Sequence, residues 1–409
     1  MKEIINLPGP RTKLIDSPIP SINADQVLIK VVVSGSNPKD WKVAELAGDL
    51  DNAFFQRYAH VRQGVNQGDD IAGVVVKTGR NVVEFKEGDR VAAFHEMLTP
   101  GGSYAEYAVA WAHTTFHLPE GVSFEEAATI PLAALTAVIS LYHHHGFPAP
   151  WSPPPHTPTL TSTQTLPQPP TPFLIYGAST AVGSFAIKLA RASNIHPIIS
   201  IAGAGSPYVE NLLDASKGDR VIDYRKGIES TVQEIKSILS IPSTSGGKEE
   251  GGEGIVLKHV LDTIVSETSI STIKQVLASG GGEGERRGRG RGRGGKVNTV
   301  LPLPSPNPYP SGIDASTTWV SSAHEVVNGD DCRDLCFVFC RWFTRALALP
   351  SQEQGEGDGQ GKERKFSGHP YVVREGGLGG VEGAMRDLRD GRASAVKFVF
   401  RVGETPGLG

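Results

Sequence analysis

A turn flanked by glycines stands between an apolar segment and an amphipathic segment, and its residue types suit phosphate binding. The apolar segment covers residues 173–176, and helical apolar spacing follows over residues 184–191. Backbone amides and the dipole at the start of a helix favour a pyrophosphate. The seven residues of the turn are Gly177, Ala178, Ser179, Thr180, Ala181, Val182 and Gly183.

The two glycines of this turn have separate expected roles. Gly177 permits a tight turn, and Gly183 lets the helix pack closely on the strand. Ser179 and Thr180 are candidate phosphate-binding residues through side chain and backbone. The middle glycine of the G-x-G-x-x-G pattern is missing, so an ordinary strand-to-helix turn stays open as an alternative.

The segment after the next apolar strand indicates which dinucleotide the turn would bind. That strand covers residues 197–201, and a NAD site would end it in Asp or Glu, which bonds the ribose 2′-hydroxyl. Residues 200–206 (Ser-Ile-Ala-Gly-Ala-Gly-Ser) contain no carboxylate, so from Ser200 onward there is room for a 2′-phosphate. Lys217, Arg220 and Arg225 follow and could supply positive charge. The pattern favours NADPH over NADH, with surface charge as the alternative interpretation of the basic residues.

A serine hydrolase is the competing interpretation of the same turn. Residues 177–181 (Gly-Ala-Ser-Thr-Ala) come close to the G-x-S-x-G nucleophile elbow, which also lies between a strand and a helix. The fifth residue is alanine instead of glycine, and no Asp followed by His is evident after the later strands.

The elements that must position this turn differ between the two parts of the chain. Over residues 1–135, β-branched segments such as 26–33, 71–76 and 89–94 alternate with glycine turns and predict a compact β-rich domain. Over residues 136–350, apolar strands alternate with helix-length segments, which predicts an α/β domain with a parallel, doubly wound sheet. The predicted strands of that sheet are residues 173–176, 197–201, 220–223, 256–261, 296–301 and 319–321.

Four low-complexity segments interrupt this pattern, and their composition cannot build a core. They are residues 148–172 with ten prolines, 243–254, 280–295 with alternating Arg and Gly, and 351–365. We interpret them as surface loops, or as products of mispredicted exon boundaries. The Arg-Gly tract could also bind RNA, although a solvated loop is the simpler interpretation.

Composition favours a small-molecule partner. The formal net charge of the 409 residues is −4, which favours neither nucleic acid nor an anionic membrane. Cys332, Cys336 and Cys340 recur at steps of four, which is typical of one helix face and not of a disulfide framework. With no secretory pattern near Met1 and no long apolar run, we expect a cytoplasmic protein.

Further motifs follow one another in an order and spacing that the four inserts alone interrupt. These are residues 36–42 (Ser-Asn-Pro-Lys-Asp-Trp-Lys), 68–75 (Gly-Asp-Asp-Ile-Ala-Gly-Val-Val), 85–91 (Phe-Lys-Glu-Gly-Asp-Arg-Val), 101–107 (Gly-Gly-Ser-Tyr-Ala-Glu-Tyr), 126–131 (Glu-Ala-Ala-Thr-Ile-Pro), 135–137 (Leu-Thr-Ala), 221–225 (Val-Ile-Asp-Tyr-Arg) and 260–262 (Val-Leu-Asp). With them, nearly the whole chain resembles the medium-chain dehydrogenase/reductase superfamily. The specific resemblance is to its zinc-independent quinone reductase and enoyl reductase branch, in a form common among fungal proteins.

The resemblance implies a fold and an activity. It implies a GroES-like catalytic domain at residues 1–135, completed by residues 366–409, and an NADP-binding Rossmann domain at residues 136–350. The expected activity is transfer of a hydride from NADPH to an activated C=C bond, enoyl or enone, or to a quinone. A non-catalytic NADPH-binding or interaction protein that retains the fold is the alternative. Relatives commonly dimerise, so a homodimer is also implied.

The resemblance also implies roles for individual residues. Lys42 would face the nicotinamide side of the cleft and stabilise the enolate or relay the proton, and Thr136 would lie against the nicotinamide. Asp40 would orient Lys42, or would simply start a short helix. Tyr224 resembles the tyrosine beside the adenosine 2′-phosphate in quinone reductases. One departure is Thr180-Ala181, where quinone reductases usually have a glycine pair.

The resemblance implies that no catalytic metal is used. Zinc-dependent members have an early catalytic Cys or His and a lobe of four closely spaced cysteines. At the place of the early cysteine this chain has Asn37-Pro38-Lys39-Asp40. The three late cysteines suit a buried helix face better than a zinc site, which requires four ligands in tetrahedral arrangement.

Overall fold

The chain divides into two units, each described by itself below. The structure is a computed structural model, and it describes residues 1–46, 59–152, 171–240, 255–277, 294–349 and 366–408. Unit 1 contains Met1–Leu135 and Val320–Gly409, and unit 2 contains Thr136–Trp319.

Unit 1 is built mainly of strands, whereas strands alternate with helices in unit 2. In chain order the strands are β1 (Lys2–Leu7), β2 (Arg11–Asp16), β3 (Gln26–Gly35), β4 (Asp70–Thr78), β5 (Arg90–Phe94), β6 (Tyr107–Trp111), β7 (Thr115–His117), β8 (Phe173–Tyr176), β9 (Ile198–Ala202), β10 (Arg220–Asp223), β11 (His259–Asp262), β12 (Lys296–Thr299), β13 (Asp314–Thr317), β14 (Tyr371–Val373) and β15 (Lys397–Arg401). The helices are α1 (Pro38–Leu46), α2 (Phe124–Ala127), α3 (Pro131–Val138), α4 (Ala181–Ala192), α5 (Ser206–Glu210), α6 (Ile228–Leu239), α7 (Glu267–Leu277), α8 (Arg333–Ala348) and α9 (Val381–Arg389).

The main sheet of unit 1 is built around strand β3. Its order is β14-β15-β3-β4-β5-β7, and β6 also pairs with β3. Because β3 has pairing partners along its length, most of its side chains are buried, as its β-branched sequence favours. The last strand, β15, returns from the far end of the chain and pairs antiparallel with β3. This sheet confirms the strands predicted at residues 26–33, 71–76 and 89–94.

Unit 2 contains a six-stranded parallel sheet in the order β10-β9-β8-β11-β12-β13. The chain starts in the middle at β8, builds outward to β10, and then continues from β11 to the other edge. This order is that of a doubly wound sheet, so the predicted α/β fold class is confirmed. All parallel strands present their carboxyl ends at the same edge.

One predicted strand is wrong. Residues 319–321 were expected to form the last strand, but β13 covers Asp314–Thr317, and Val320–Ala323 form a short 3-10 helix. Strand β13 lies at the edge of the sheet and has only one neighbouring strand, so it needs few apolar side chains. The search for apolar segments therefore predicted the last strand at residues 319–321 instead.

The units divide at Trp319 instead of residue 350, where the sequence placed the boundary. The reason is helix α8, which packs against β7 and the turn before it. Arg341 donates hydrogen bonds to the carbonyl oxygens of Thr115 and Ala112 at 2.7 and 3.2 Å, and the ring of Phe343 meets that of Phe116. Cysteines 336 and 340 are buried within α8, and Cys332 is buried at its amino end, which agrees with the predicted apolar face.

The four low-complexity segments fall largely outside the described residues. Their described ends nevertheless show where three of them attach. Residues 171, 255 and 294 lead into the amino ends of β8, β11 and β12, which are neighbours in the sheet. These three segments therefore attach at the edge opposite to the carboxyl ends of the strands. Within the described ranges no helix has the length and apolar character needed to cross a membrane.

The return of the chain end to β3 should depend on one buried ion pair. Lys397, in β15, is 3% exposed and contacts the fully buried Asp70 in β4. Lys397→Met would leave that carboxylate without its cation, and we expect a loss of about 3–5 kcal/mol. Urea unfolding monitored by tryptophan fluorescence would measure it. The exposed pair Lys2–Asp16 is the control, since Lys2→Met should cost less than about 1 kcal/mol. Equal effects of the two variants would contradict this role.

Candidate functional site

The predicted phosphate-binding turn lies at the carboxyl edge of the unit 2 sheet, between β8 and α4. Gly177 has a φ of +82°, and a Cβ there would approach the Thr263 hydroxyl to 2.3 Å. At Gly183 a Cβ would lie 2.4 Å from the Gly177 carbonyl oxygen. Only glycine fits at either position. Gly177 is required by its positive φ and by lack of space for a Cβ, and Gly183 by lack of space alone.

Thr180 caps helix α4 and links the turn to the next strand. Its hydroxyl accepts a hydrogen bond from the Gly183 amide at 3.0 Å and lies 3.0 Å from the Thr263 hydroxyl. The amides of Ala181 and Val182 belong to the first turn, which has no intrahelical acceptors. Ser179 to Val182 are partly exposed, whereas the flanking glycines are buried. The turn therefore presents a partly exposed helix amino terminus at the carboxyl edge of the sheet.

The same geometry argues against the hydrolase. A serine nucleophile needs a base within hydrogen-bond distance. In the described part of the chain no histidine forms a hydrogen bond with Ser179. The turn thus has the glycine constraints of a phosphate loop without the contacts of a nucleophile elbow.

Tyr224 and Arg225 lie at the same edge, directly after β10. Tyr224 is 42% exposed, and a Cβ at Gly203 would meet its ring at 2.7 Å, so the small residue after β9 makes space for the tyrosine. Arg225 forms an exposed ion pair with Asp223 at 2.6 Å. Hydrogen bonds from Arg225 lower the pKa of the Asp223 carboxyl to about 2. An arginine side chain is therefore held beside Tyr224.

Two predicted cofactor residues lie elsewhere. Ser200 is fully buried in the middle of β9, because the strand extends to Ala202, so its hydroxyl is not presented at the edge. Lys217 ends a short helix before β10, where its ammonium approaches Asp214 and Asn194. It therefore lies at the amino edge of the sheet, and Arg220, the first residue of β10, lies there as well. Among the three basic residues predicted from the sequence, Arg225 alone is at the carboxyl edge.

The three predicted catalytic residues have different surroundings. Lys42, on α1 of unit 1, is partly buried with its ammonium 5.6 Å from the centre of the Trp41 ring. Burial lowers the pKa of the Lys42 ammonium. Thr136, in α3, is the first residue of unit 2 and is 5% exposed. Asp40 is fully buried in the first turn of α1 and binds neighbours other than Lys42.

Asp40 belongs to a buried ionic cluster that the sequence did not predict. One oxygen accepts hydrogen bonds from the Tyr104 hydroxyl at 2.5 Å and from the Asn37 amide at 2.8 Å, and the other lies 3.3 Å from the Lys39 ammonium. Lys39 also contacts Asp69 and donates to the Gln67 carbonyl oxygen at 2.6 Å. The expected contact between Asp40 and Lys42 is thus replaced by one between Asp40 and Lys39.

The cluster continues through Asp70 to the chain end. Asp70 accepts hydrogen bonds from the Leu132 amide at 2.7 Å and from the Asn37 side chain at 2.6 Å. Its ion pair with Lys397 closes this part of the cluster, and Lys397 also donates to the Asn37 side-chain oxygen at 3.1 Å. Asn37 therefore joins the two halves, with its backbone bound to Asp40 and its side chain bound to Asp70.

Burial determines the titration of this cluster. Desolvation raises the pKa of both Asp40 and Asp69 to about 6, although Lys39 lowers each of them in part. Burial lowers the pKa of the Lys39 ammonium, but attraction by Asp69 and Asp40 outweighs this and leaves it raised. Desolvation and the neighbouring carboxylates raise the pKa of the Tyr104 hydroxyl. Near neutral pH the cluster is therefore close to binding one more proton.

Unit 1 also contains a cavity of about 450 Å³. Apolar surface comes from Met97, Leu98 and Pro100, and the remaining lining residues are polar: His60, Glu96, Thr99, Ser321, His324 and Glu325. Burial lowers the pKa of His324 well below its usual value, so this imidazole is neutral at physiological pH.

Comparisons with known proteins show which family this chain belongs to. The alcohol dehydrogenase GroES-like domain family matches residues 23–120. Trans-enoyl reductase fsr4 of Gibberella fujikuroi is 41% identical over 85% of this chain and 87% of its own length. Trans-enoyl reductase resD of Aspergillus sclerotiorum is 30% identical over 98% of this chain and 100% of its own length. This chain belongs to the medium-chain dehydrogenase/reductase superfamily, in its enoyl reductase and quinone reductase branch.

The membership confirms the resemblance inferred from the sequence motifs. It also confirms a GroES-like domain, which accounts for the antiparallel sheet of unit 1. A solved quinone oxidoreductase from Coxiella burnetii shares the fold over 98% of this chain and 99% of its own, with a TM-score of 0.62 at 18% identity. At that identity the likeness concerns the fold alone.

Sequence reasoning missed the ionic cluster and Thr263. A usable signal was present in residues 68–72 (Gly-Asp-Asp-Ile-Ala), where two adjacent carboxylates enter an apolar strand and therefore need buried partners. Nothing in the sequence pairs them with Lys39 or with Lys397, which is over 300 residues away. Thr263 follows β11, and only the sheet order brings it beside β8 and its turn.

The raised pKa values of Asp40 and Asp69 predict how stability depends on pH. A carboxyl group with a folded pKa near 6 and an unfolded value near 4 stabilises the fold below about pH 4, and this stabilisation is lost as pH rises through 6. Asp69→Asn removes one charge and its repulsion of Asp40. Between pH 5 and 7 we expect the free energy of unfolding to fall less in Asp69→Asn than in wild type, by an amount on the order of 1–3 kcal/mol.

Urea unfolding at several pH values would measure this difference. Asp16→Asn is the control, because Lys2 lowers the pKa of the exposed Asp16 carboxyl, which therefore titrates below this window. Parallel stability curves for wild type and Asp69→Asn would show that the cluster does not titrate near pH 6.

Proposed function

We propose that this protein is an NADPH-dependent reductase that transfers a hydride to the activated C=C bond of an enoyl or enone substrate, or to a quinone, without zinc. The observation that carries the proposal is the turn at residues 177–183. It contains two positions that only glycine can occupy, and it places a helix amino terminus at the carboxyl edge of a doubly wound sheet. Ligands of such sheets bind at this edge. The named relatives are trans-enoyl reductases, which favours the enoyl group as acceptor.

The turn binds the pyrophosphate in this proposal. The amides of Ala181 and Val182 and the side chains of Ser179 and Thr180 hold its oxygens, while Gly177 and Gly183 allow the close approach. Tyr224 and Arg225 bind the adenosine 2′-phosphate, because they follow the third strand at the same edge and Arg225 carries the charge. When bound, the nicotinamide supplies the hydride.

Lys42 and Thr136 act on the substrate in this proposal. Hydride addition to the β-carbon produces an enolate, which needs a positive group and then a proton. The Lys42 ammonium stabilises the enolate and protonates it, and burial, which lowers the pKa of this ammonium, makes it a better acid near neutral pH. Thr136 binds the carboxamide or the substrate carbonyl.

The side chains around α1 support a reaction without zinc. Where zinc-dependent relatives place a ligand, Asn37 donates to Asp70 and accepts from Lys397. Asp40, Asp69 and Asp70 each contact a lysine ammonium. Each carboxylate already has one cationic partner, so the charge that a metal would contribute comes from lysine side chains in this proposal.

The proposal predicts both cofactor binding and turnover. Fluorescence titration should show tighter binding of NADPH than of NADH, and bound NADPH should be oxidised by an enoyl thioester faster than by quinones. Lys42→Met should lower kcat by roughly 10²–10⁴-fold with NADPH affinity unchanged. Lys30→Met, on the exposed side of β3, is the control and should be neutral. NADPH binding without oxidation of any acceptor would support the non-catalytic alternative, and failure to bind either nucleotide would refute the reductase.

Arg225 should distinguish the two nucleotides. Arg225→Met removes one charge-assisted contact to the 2′-phosphate, and we expect NADPH binding to weaken about 10- to 100-fold with NADH binding unchanged. Arg220→Met is a matched control, since Arg220 lies at the other end of β10. Titration of both variants with both nucleotides measures the effect. An equal loss for NADPH and NADH in Arg225→Met would place the 2′-phosphate elsewhere.

A further inference from the structure

The segment that follows β11 forms a fixed support beside the glycine turn. Asp262, the last residue of β11, is fully buried, and one of its oxygens accepts hydrogen bonds from the Ile264 and Val265 amides at 2.9 and 3.0 Å. Its other oxygen accepts a hydrogen bond from the Ser269 hydroxyl on α7 at 2.6 Å. Val265 has a φ of +54°, which β-branched residues rarely adopt, so the carboxylate maintains a strained backbone here. Thr263 lies inside this segment and is fixed with it.

The hydroxyl of Thr263 contacts three groups of the glycine turn. It donates towards the carbonyl oxygens of Tyr176 and Gly177, at 3.0 and 3.1 Å. It also lies 3.0 Å from the Thr180 hydroxyl. Because Thr263 is only 8% exposed, water competes little for these contacts. One side chain therefore joins the end of β8 to the start of α4.

The two hydroxyls have one proton each, and these protons can be arranged in two ways. In the first, Thr263 donates to a carbonyl oxygen, and Thr180 donates to Thr263 while it accepts a hydrogen bond from the Gly183 amide. In the second, Thr263 donates to Thr180, whose own proton can then point elsewhere. The carbonyl groups tolerate this change, because the Thr263 amide donates to Tyr176 and the Thr180 amide to Gly177, each at 3.0 Å.

We propose that Thr263 is a positioning residue for the pyrophosphate, because its hydroxyl stays bound to Thr180 whichever of the two donates. The inference rests on the proposed function, which places the pyrophosphate at this turn. When a phosphate oxygen accepts the Thr180 proton, the Thr263 proton turns from the carbonyl oxygen to Thr180. The start of α4, with the amides of Ala181 and Val182, therefore keeps its position while the nucleotide binds.

A buried threonine elsewhere in unit 2 provides a contrast. The Thr231 hydroxyl on α6 donates to the Gly227 carbonyl oxygen at 2.8 Å, and Thr231 is 1% exposed. That bond lies at the start of its own helix, whereas the bonds of Thr263 to Thr180 and Tyr176 join residues 83 and 87 positions apart. Both hydroxyls should contribute to stability, but we expect Thr263 and not Thr231 to affect nucleotide binding.

Fluorescence titration with NADPH and NADH would test the proposal. Thr263→Val keeps the shape of the side chain but removes its hydroxyl, and we expect both nucleotides to bind about 10-fold more weakly. Thr263→Ser keeps a hydroxyl and should restore most of the affinity. Thr231→Val is the matched control and should bind both nucleotides as wild type does. An equal loss for the two nucleotides separates this effect from that of Arg225, which concerns NADPH alone.

A double variant would show whether Thr263 acts through Thr180. The variant with both Thr180→Val and Thr263→Val should bind NADPH about as weakly as Thr180→Val alone, because the first change already breaks the contact between the two hydroxyls. In steady-state turnover Thr263→Val should raise the KM for NADPH and keep kcat, since the residue acts on nucleotide binding.

Several outcomes would overturn the role of Thr263. They are wild-type affinity in Thr263→Val, equal weakening in Thr263→Ser and Thr263→Val, and losses that multiply in the double variant. Each of them would leave the proposed reductase intact, because wild type would still bind NADPH. If circular dichroism shows that Thr263→Val does not fold, Thr263→Ala takes its place beside Thr263→Ser. A wild type that binds neither nucleotide would overturn the proposed function together with this inference.

Discussion

The burial of two adjacent carboxylates, Asp69 and Asp70, is the constraint on which unit 1 depends. Asp69 immediately precedes strand β4 and Asp70 begins it, and both are fully buried, so each needs a cation. Lys39 on α1 meets one, and Lys397 on β15 meets the other. The same two contacts therefore attach the helix that carries Lys42 and the strand that returns from the chain end. Stability and the candidate chemistry of this unit share one set of side chains.

Unit 2 depends on a different constraint, the direction of its strands. Because all strands of the sheet run parallel, their carboxyl ends form a single edge, which receives the glycine turn, Gly203, Tyr224 and Thr263. The low-complexity segments that lead into β8, β11 and β12 attach at the opposite edge. Their compositions differ sharply from the core, yet they enter the sheet where they need not alter the residues around the turn. This separation leaves the surroundings of Gly177 and Gly183 to the strands and helices of the sheet.

Prediction from the sequence succeeded where local pattern determines structure. The strands at residues 173–176 and 220–223, the turn between two glycines and the doubly wound order follow from apolar runs and glycine spacing. Prediction failed where local sequence pattern does not determine the structure. The last strand of the sheet was predicted at an apolar segment after the polar edge strand β13. Ser200 was predicted as a cofactor residue although it lies in the middle of β9. Helix α8 was assigned to the wrong unit, because Arg341 and Phe343 have their partners in β7 and the turn before it.

The sequence by itself determined the fold class, the family and the place of the turn at residues 177–183, because these depend on residue types a few positions apart. Only the tertiary structure decided which charges face one another. It placed Lys217 and Arg225 at opposite edges of one sheet, since a strand of four residues separates their ends, and it paired Asp40 with Lys39 instead of Lys42. It also brought Lys397 to Asp70 across the length of the chain. Ion pairing acts through space in a buried environment, and sequence separation carries no information about it.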